Sequence, residues 1–206
     1  FAFLVEERER GGNIGMISQS GQIVLGGLDS PNMGFSHVIS SGNSCNVKVE
    51  DYLDFLVDDE DTKVVAAYME GVTKPEKLVA AFQKAALKKK PVVVLKTGRS
   101  AKSQELAKSH TGSLSGADKV LRAVFKRYGV VEAGDLEELM SLAAAFSWLE
   151  ELPKGERCVF MNVSGGEAGV MADLSEEYGI QLAEMQQETK AYLKTLVPDY
   201  GSVNNP

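Results

Sequence analysis

His110 lies in the stretch T-G-R-S-A-K-S-Q-E-L-A-K-S-H-T-G-S-L-S-G-A (97–117), flanked by Ser109, Thr111, Gly112 and Ser113. A loop offers a histidine no apolar packing, so His110 is either a solvated residue or a reactive one. An imidazole can carry a phosphoryl group when one ring nitrogen is nucleophilic and the other is held by an acceptor. Arg99, Lys102 and Lys108 against the one acid Glu105 make the stretch a basic patch within a chain of net charge −7, which favours an anionic reactant. Glu70, in Y-M-E-G (68–71), follows an apolar run. A carboxylate there can fix an imidazole tautomer and stabilise the imidazolium, or it can be a plain strand-end acid. Ser18-Gln19-Ser20-Gly21 and Ser164-Gly165-Gly166-Glu167 each place small polar residues where a predicted strand turns into a predicted helix. The first turn of a helix has N–H groups without intrahelical acceptors and carries the positive end of the dipole, so both turns suit a phosphate. The first also reads as an ordinary Ser N-cap. Neither is the G-x-S-x-G nucleophile elbow or a G-x-G-x-x-G dinucleotide loop.

The elements that must position these residues follow from hydrophobic periodicity. Short apolar runs predict strands at 14–18, 36–40, 62–69, 92–95 and 129–131. Between them lie helical patterns: Ile23, Val24 and Leu28; Val49, Tyr52, Leu53 and Leu56; Leu78, Val79, Phe82 and Ala86 behind Pro75; Val120, Leu121, Val124 and Phe125. Leu136, Leu139, Met140 and Ala143 begin a fifth helix that runs to about Leu149. Val92-Val93-Val94-Leu95 is apolar throughout, as a parallel strand covered on both faces should be. Five βα units in residues 13–150 predict an α/β, flavodoxin-like, doubly wound parallel sheet of order 2-1-3-4-5. In that order the switch point lies between strands one and three, so residues 18–21, 70–71 and 96–98 are expected on one ligand-binding edge. His37 falls inside the second strand and is read as structural. After Pro153-Lys154-Gly155 a second series starts, with strands at 158–163 and 180–183 and helices at 167–178 and 188–197. Residues 151–206 are therefore expected to be the first part of a second flavodoxin-like domain.

Composition excludes several classes. Of 206 residues, 44% are hydrophobic and 25% charged, with 22 basic against 29 acidic, an ordinary globular make-up that disfavours nucleic-acid and membrane-surface roles. Cys45 and Cys158 are far apart and only two histidines are present, so neither a zinc site nor a disulfide framework is expected. No apolar run spans a bilayer and no signal-peptide pattern is seen; the chain is read as cytoplasmic. Residues 1–12, with the run Glu6-Glu7-Arg8-Glu9-Arg10-Gly11-Gly12 and no initiator Met, read as a linker within a longer polypeptide.

Taken together, the phrases G-N-I-G-M-I-S-Q-S-G (12–21), G-N-S-C-N-V-K-V-E-D-Y-L-D-F-L-V-D-D (42–59), Y-M-E-G (68–71), K-P-V-V-V-L-K-T-G-R-S (90–100), S-H-T-G-S-L-S-G-A-D (109–118) and N-V-S-G-G-E-A-G-V-M-A-D (162–173) resemble the succinyl-CoA synthetase superfamily. Within it they resemble the ADP-forming acyl-CoA (acetyl-CoA) synthetases. The resemblance spans nearly the whole chain and implies a ligase that interconverts acid, CoA and ATP with acyl-CoA, ADP and phosphate. It implies His110 as the phosphoryl carrier on a mobile loop supported by Ser109, Thr111 and Gly112, with Glu70 hydrogen-bonded to its imidazole. It implies phosphate binding at Ser18, Gln19, Ser20 and Gly21 and at Ser164, Gly165 and Gly166. CoA, ATP or ADP and Mg²⁺ would bind at a CoA-binding domain preceding the linker and at an ATP-grasp domain, so the chain alone is expected to be inactive and the enzyme to be an oligomer. At position 46, where the family often has an acidic residue or another small polar one, this chain has Asn46, which touches nothing central to the resemblance. Related domains fused to protein lysine acetyltransferases imply a regulatory alternative, but there the histidine is often lost, and here His110, Glu70 and both glycine turns are kept. A receiver-type signalling domain would need an acidic pair at the end of strand one, which residues 18–21 do not provide.

Overall fold

The computed structural model of the chain describes residues 11–28, 33–99, 102–103, 118–151 and 153–205. Its contacts divide it into one unit up to Glu150 and another from Glu151. In the first unit, strands β1 (Ile14–Ser18), β2 (Phe35–Ser40), β3 (Val64–Met69), β4 (Val92–Lys96) and β5 (Val131–Ala133) alternate with helices α1 (Gly21–Leu28), α2 (Val49–Asp58), α3 (Pro75–Leu87), α4 (Asp118–Tyr128) and α5 (Leu136–Trp148). Every pairing is parallel and the order is β2-β1-β3-β4-β5, the doubly wound flavodoxin-like sheet that the alternation predicts.

The two faces of the sheet bury separate cores because successive strand residues point to opposite sides. Ile17, Val65, Ala67, Met69, Val92 and Val94 face α2, α3 and α4; Met16, Val64, Ala66, Val93 and Leu95 face α1 and α5. β1 and β4 are buried at every position, as strands covered on both sides must be. Phe82 of α3 is fully buried and meets Phe125 of α4 edge-to-face, ring centroids 5.6 Å apart. Truncating such a side chain to Ala costs about 3–5 kcal/mol.

Several boundaries differ from the periodicity for local reasons. Strand five was expected at 129–131 and runs instead from Val131 to Ala133. Gly129 takes φ +69 and Val130 donates back to the Phe125 carbonyl at 3.0 Å, so these two residues close α4 before the strand begins. Strand three was expected from 62 and starts at Val64, where the N–H groups of Lys63 and Val64 both turn to the Asn13 carbonyl; the hydroxyl of Thr62 meets Asp59 and Ser36, at 2.6 Å each. His37 in β2 stands 3.4 Å from the Asp59 carboxylate and edge-on to the Phe55 ring.

The second unit holds β6 (Arg157–Cys158), α6 (Gly165–Glu177), β7 (Gln181–Leu182) and α7 (Gln187–Lys194), with β6 and β7 parallel. The expected strand 158–163 is cut to two residues. Beyond Cys158 the Phe160 N–H goes to the Asn205 side chain, whose amide group also donates to the carbonyls of Cys158 and Ala183. Gly179, at φ +66, ends α6 just as Gly129 ends α4, with Ile180 donating to the Ser175 carbonyl at 2.8 Å. Among the described residues no helix is long and apolar enough to cross a membrane.

Candidate functional site

At the carboxyl edge of the sheet the ladder ends one residue past β1, β2 and β4. Gln19 N–H donates to the Tyr68 carbonyl at 3.2 Å, Ser41 N–H to that of Ser18 at 2.8 Å, and Thr97 N–H to that of Met69 at 3.0 Å. Beyond these points side chains hold the backbone. The Gln19 carboxamide oxygen accepts from the N–H groups of Glu70 and Gly71, at 2.6 and 3.1 Å. This joins the end of β1 to the end of β3 across the switch point, where ligands of doubly wound sheets bind. Lys96, at the end of β4, donates its ammonium to the Glu70 carbonyl at 2.9 Å and to the Thr97 carbonyl. The Tyr68 hydroxyl lies 3.4 Å from Glu70 Oε1 and 3.3 Å from Thr97 Oγ1. The three segments expected on one edge, 18–21, 70–71 and 96–98, are thus brought together by hydrogen bonds.

Electrostatics follow from burial. Lys96 is 7% exposed, and desolvation lowers its pKa despite the nearby Asp118 and Glu70 carboxylates. Burial raises the Tyr68 hydroxyl above its usual value, against the opposing hydrogen bond from Thr97, so it stays protonated and available to donate to Glu70. Gly98 takes φ +77 directly after this cluster, a backbone conformation that favours glycine.

The two glycine turns have different interiors. Ser18 is fully buried, and its hydroxyl donates to the Ser20 carbonyl at 2.7 Å and accepts from the Ser20 N–H at 3.0 Å. The surface donors of this turn are the first-turn N–H groups of α1, where Gly21 and Gln22 are exposed. In the second unit Ser164 caps α6, its hydroxyl accepting from the Glu167 N–H at 3.4 Å, and Gly165 and Gly166 are exposed in the first turn. Of the basic patch, Arg99 is paired with Glu132 at 3.2 Å, an acid it shares with Arg122. Lys102 is exposed. His110, Ser109, Thr111, Gly112 and Lys108 lie outside the described residues.

Three residues of this edge escaped the motif reading. Lys96 falls in the segment 96–98 expected on this edge, without a role of its own in the motifs; a lysine closing a run of four apolar strand residues is the signal that marks it. Tyr68 was read only as part of Y-M-E-G. Glu50 is fully buried and accepts from the N–H groups of Thr73 and Lys74 at 2.6 and 3.0 Å, which ties down the segment after Glu70. It shares the buried side of α2 with Leu53 and Val57, a charge on an apolar stripe that the helical spacing already marks. Among the described residues no three His, Cys, Asp or Glu side chains gather in a metal-binding cluster.

Residues 11–146 match the model of the succinyl-CoA ligase like flavodoxin domain. The alpha subunit of acetate–CoA ligase [ADP-forming] II of Pyrococcus furiosus is 36% identical over 95% of the chain and 43% of its own length. Acetate–CoA ligase [ADP-forming] of Methanocaldococcus jannaschii is 38% identical over 95% of the chain and 28% of its own length. The solved structure of a dinucleotide forming acetyl-coenzyme A synthetase 1 of Ca. Korarchaeum cryptofilum, in complex with phosphate and ADP, superposes with a TM-score of 0.82. It is 31% identical and is matched over 97% of this chain and 44% of its own. The chain thus spans less than half the length of each of these relatives.

Proposed function

Because the chain belongs to the family of succinyl-CoA ligase like flavodoxin domains, we propose that it is the phosphoryl-carrying core of an acyl-CoA synthetase of the ADP-forming type. The overall reaction is acid, CoA and ATP to acyl-CoA, ADP and phosphate. His110 is the carrier, and Ser109, Thr111 and Gly112 support its loop. The observation that carries the reading is Glu70, whose main chain is held at the switch point by Gln19 and Lys96 and whose carboxylate lies 3.4 Å from the Tyr68 hydroxyl. There it accepts one imidazole N–H, which leaves the other nitrogen nucleophilic and stabilises the cation that forms on phosphorylation. The turn Ser18-Gln19-Ser20-Gly21 holds the phosphate through the N–H groups that open α1, and Ser164-Gly165-Gly166 is a second turn of the same kind. Fixed donors of this sort favour charge that develops during transfer.

Nucleotide with Mg²⁺, and CoA, belong in this reading to an ATP-grasp and a CoA-binding domain or subunit, which makes the working enzyme an assembly acting in the cytoplasm. Residues 151–206 form part of a second flavodoxin-like domain. The direct test incubates the complete enzyme with labelled ATP and Mg²⁺ and asks for acid-labile, base-stable label on His110. Label that is discharged by ADP, or by CoA with a carboxylic acid, supports the relay. A folded enzyme that takes up no label refutes it and favours a regulatory ligand-binding role.

A further inference from the structure

We propose that Gln19 and Lys96 are positioning residues that aim the Glu70 carboxylate by clamping its main chain from both sides. The inference rests on the role given to Glu70 above. The β3 ladder stops at Met69, whose carbonyl is the last one taken by a β4 neighbour, Thr97. Among the described residues, side chains take the place of a strand partner for the Glu70 N–H, the Gly71 N–H and the Glu70 carbonyl. Gln19 takes the Glu70 N–H at 2.6 Å and the Gly71 N–H at 3.1 Å with one oxygen. Lys96 takes the Glu70 carbonyl at 2.9 Å. The N–H and C=O of one residue are thus held by side chains from the two strands that flank β3 in the sheet.

Burying a lysine at 7% exposure is costly unless its charge is engaged. Here it binds two carbonyls, of Glu70 and Thr97, at a strand end where another aliphatic residue would pack at no such cost. Tyr68 completes the arrangement on the side chain itself, 3.4 Å from Oε1. A carboxylate two carbons beyond its Cα swings with any rotation of that Cα, and a misplacement of about 1 Å can cost roughly 10²-fold in rate. Gln19 therefore acts on the reaction through Glu70, whatever its turn also does for phosphate.

The test is a double-mutant cycle on histidine phosphorylation in the complete enzyme, read in single turnover with labelled ATP and Mg²⁺. Gln19→Met and Lys96→Met, each near in volume to the original, are measured in the wild-type and the Glu70→Gln backgrounds. The expected result is a rate roughly tenfold or more lower for each single variant, with KM for ATP within about twofold of wild type. In the Glu70→Gln background the same changes should slow the enzyme little further. Losses of equal size in both backgrounds, or single variants as fast as wild type, overturn the positioning role while leaving Glu70 in the mechanism. Glu70→Gln enzyme as fast as wild type removes Glu70 itself and the clamp with it. Circular dichroism reports whether each variant folds, and if one does not, the cycle on the other decides.

Discussion

Glu70 and its neighbours illustrate how a half-buried carboxylate is kept in one orientation. Its N–H, its C=O and one carboxylate oxygen each meet a partner, Gln19, Lys96 and Tyr68. Glu70→Gln retains the shape and the main-chain bonds but exchanges an anionic acceptor for a neutral amide. The enzyme should fold normally and phosphorylate His110 roughly tenfold or more slowly, the scale on which a lost imidazole-orienting partner acts. His110→Ala should abolish labelling and turnover in the complete enzyme while leaving its circular dichroism unchanged; retained turnover would refute the phosphohistidine. The sequence offers both residues as candidates, a histidine with basic neighbours and a glutamate after an apolar run, and the labelling experiment decides between these roles and plain structural ones. The role of Gln19 was not legible there. In the linear chain it is one polar residue in a turn, and only the pairing of β1 with β3 brings its oxygen to two N–H groups some fifty residues away.

Helices α2 and α3 pack side by side and are joined along their exposed flank by ion pairs. Asp51 meets Lys74 at 3.0 Å and also Lys77, Asp54 meets Lys84, and Asp58 meets Lys84 at 2.7 Å and Lys88 at 2.6 Å. Hydrogen bonds from Lys84 and then Lys88 lower the Asp58 carboxyl from the ordinary 3.8 to about 2. Asp51 is lowered further, chiefly by Lys77 and then by the Lys48 N–H. A carboxyl whose folded pKa is depressed contributes stability that is complete above its unfolded pKa and is lost as pH falls through the folded one. The pairs should therefore support the fold above about pH 4 and fade toward pH 2, modestly because they face solvent and are screened by salt. Melting temperatures measured at low salt from pH 5 to 2 should fall less steeply for Asp58→Asn than for the wild type. Parallel curves would show that the Asp58 pairs contribute nothing. These elements were readable from periodicity, and so was the N-terminal Pro75 of α3. Their ends were less so, because the caps at Gly129 and Gly179 each take a following residue, Val130 and Ile180, out of the strand that its apolar character suggests.

The two units differ in what they bury. The first has a core on each face of its sheet. Among the described residues of the second only Ser175 and Val203 are buried, while Met161, Val163 and Tyr200 are almost fully exposed. A chain ending at Glu150 should therefore keep a cooperative melting transition, and residues 151–206 alone should show none, because so little apolar area cannot offset the entropy of ordering. A cooperative melt of the short piece would contradict this. The sequence by itself determined the class of the first unit and its strand order. The alternation of strand and helix with right-handed parallel crossovers leaves few arrangements open, and the apolar periods mark which side chains turn inward. The six phrases between residues 12 and 173, taken together, pointed to the family. Tertiary structure alone decided which atoms hold Glu70 and that Ser18 is sealed inside its turn. It also decided that buried Glu50 and Lys96 serve main-chain groups on neighbouring segments. The bonds of Gln19 and Lys96 to Glu70 and those of Glu50 join segments more than twenty residues apart, and a hydrogen bond between such segments leaves no trace in local spacing or composition.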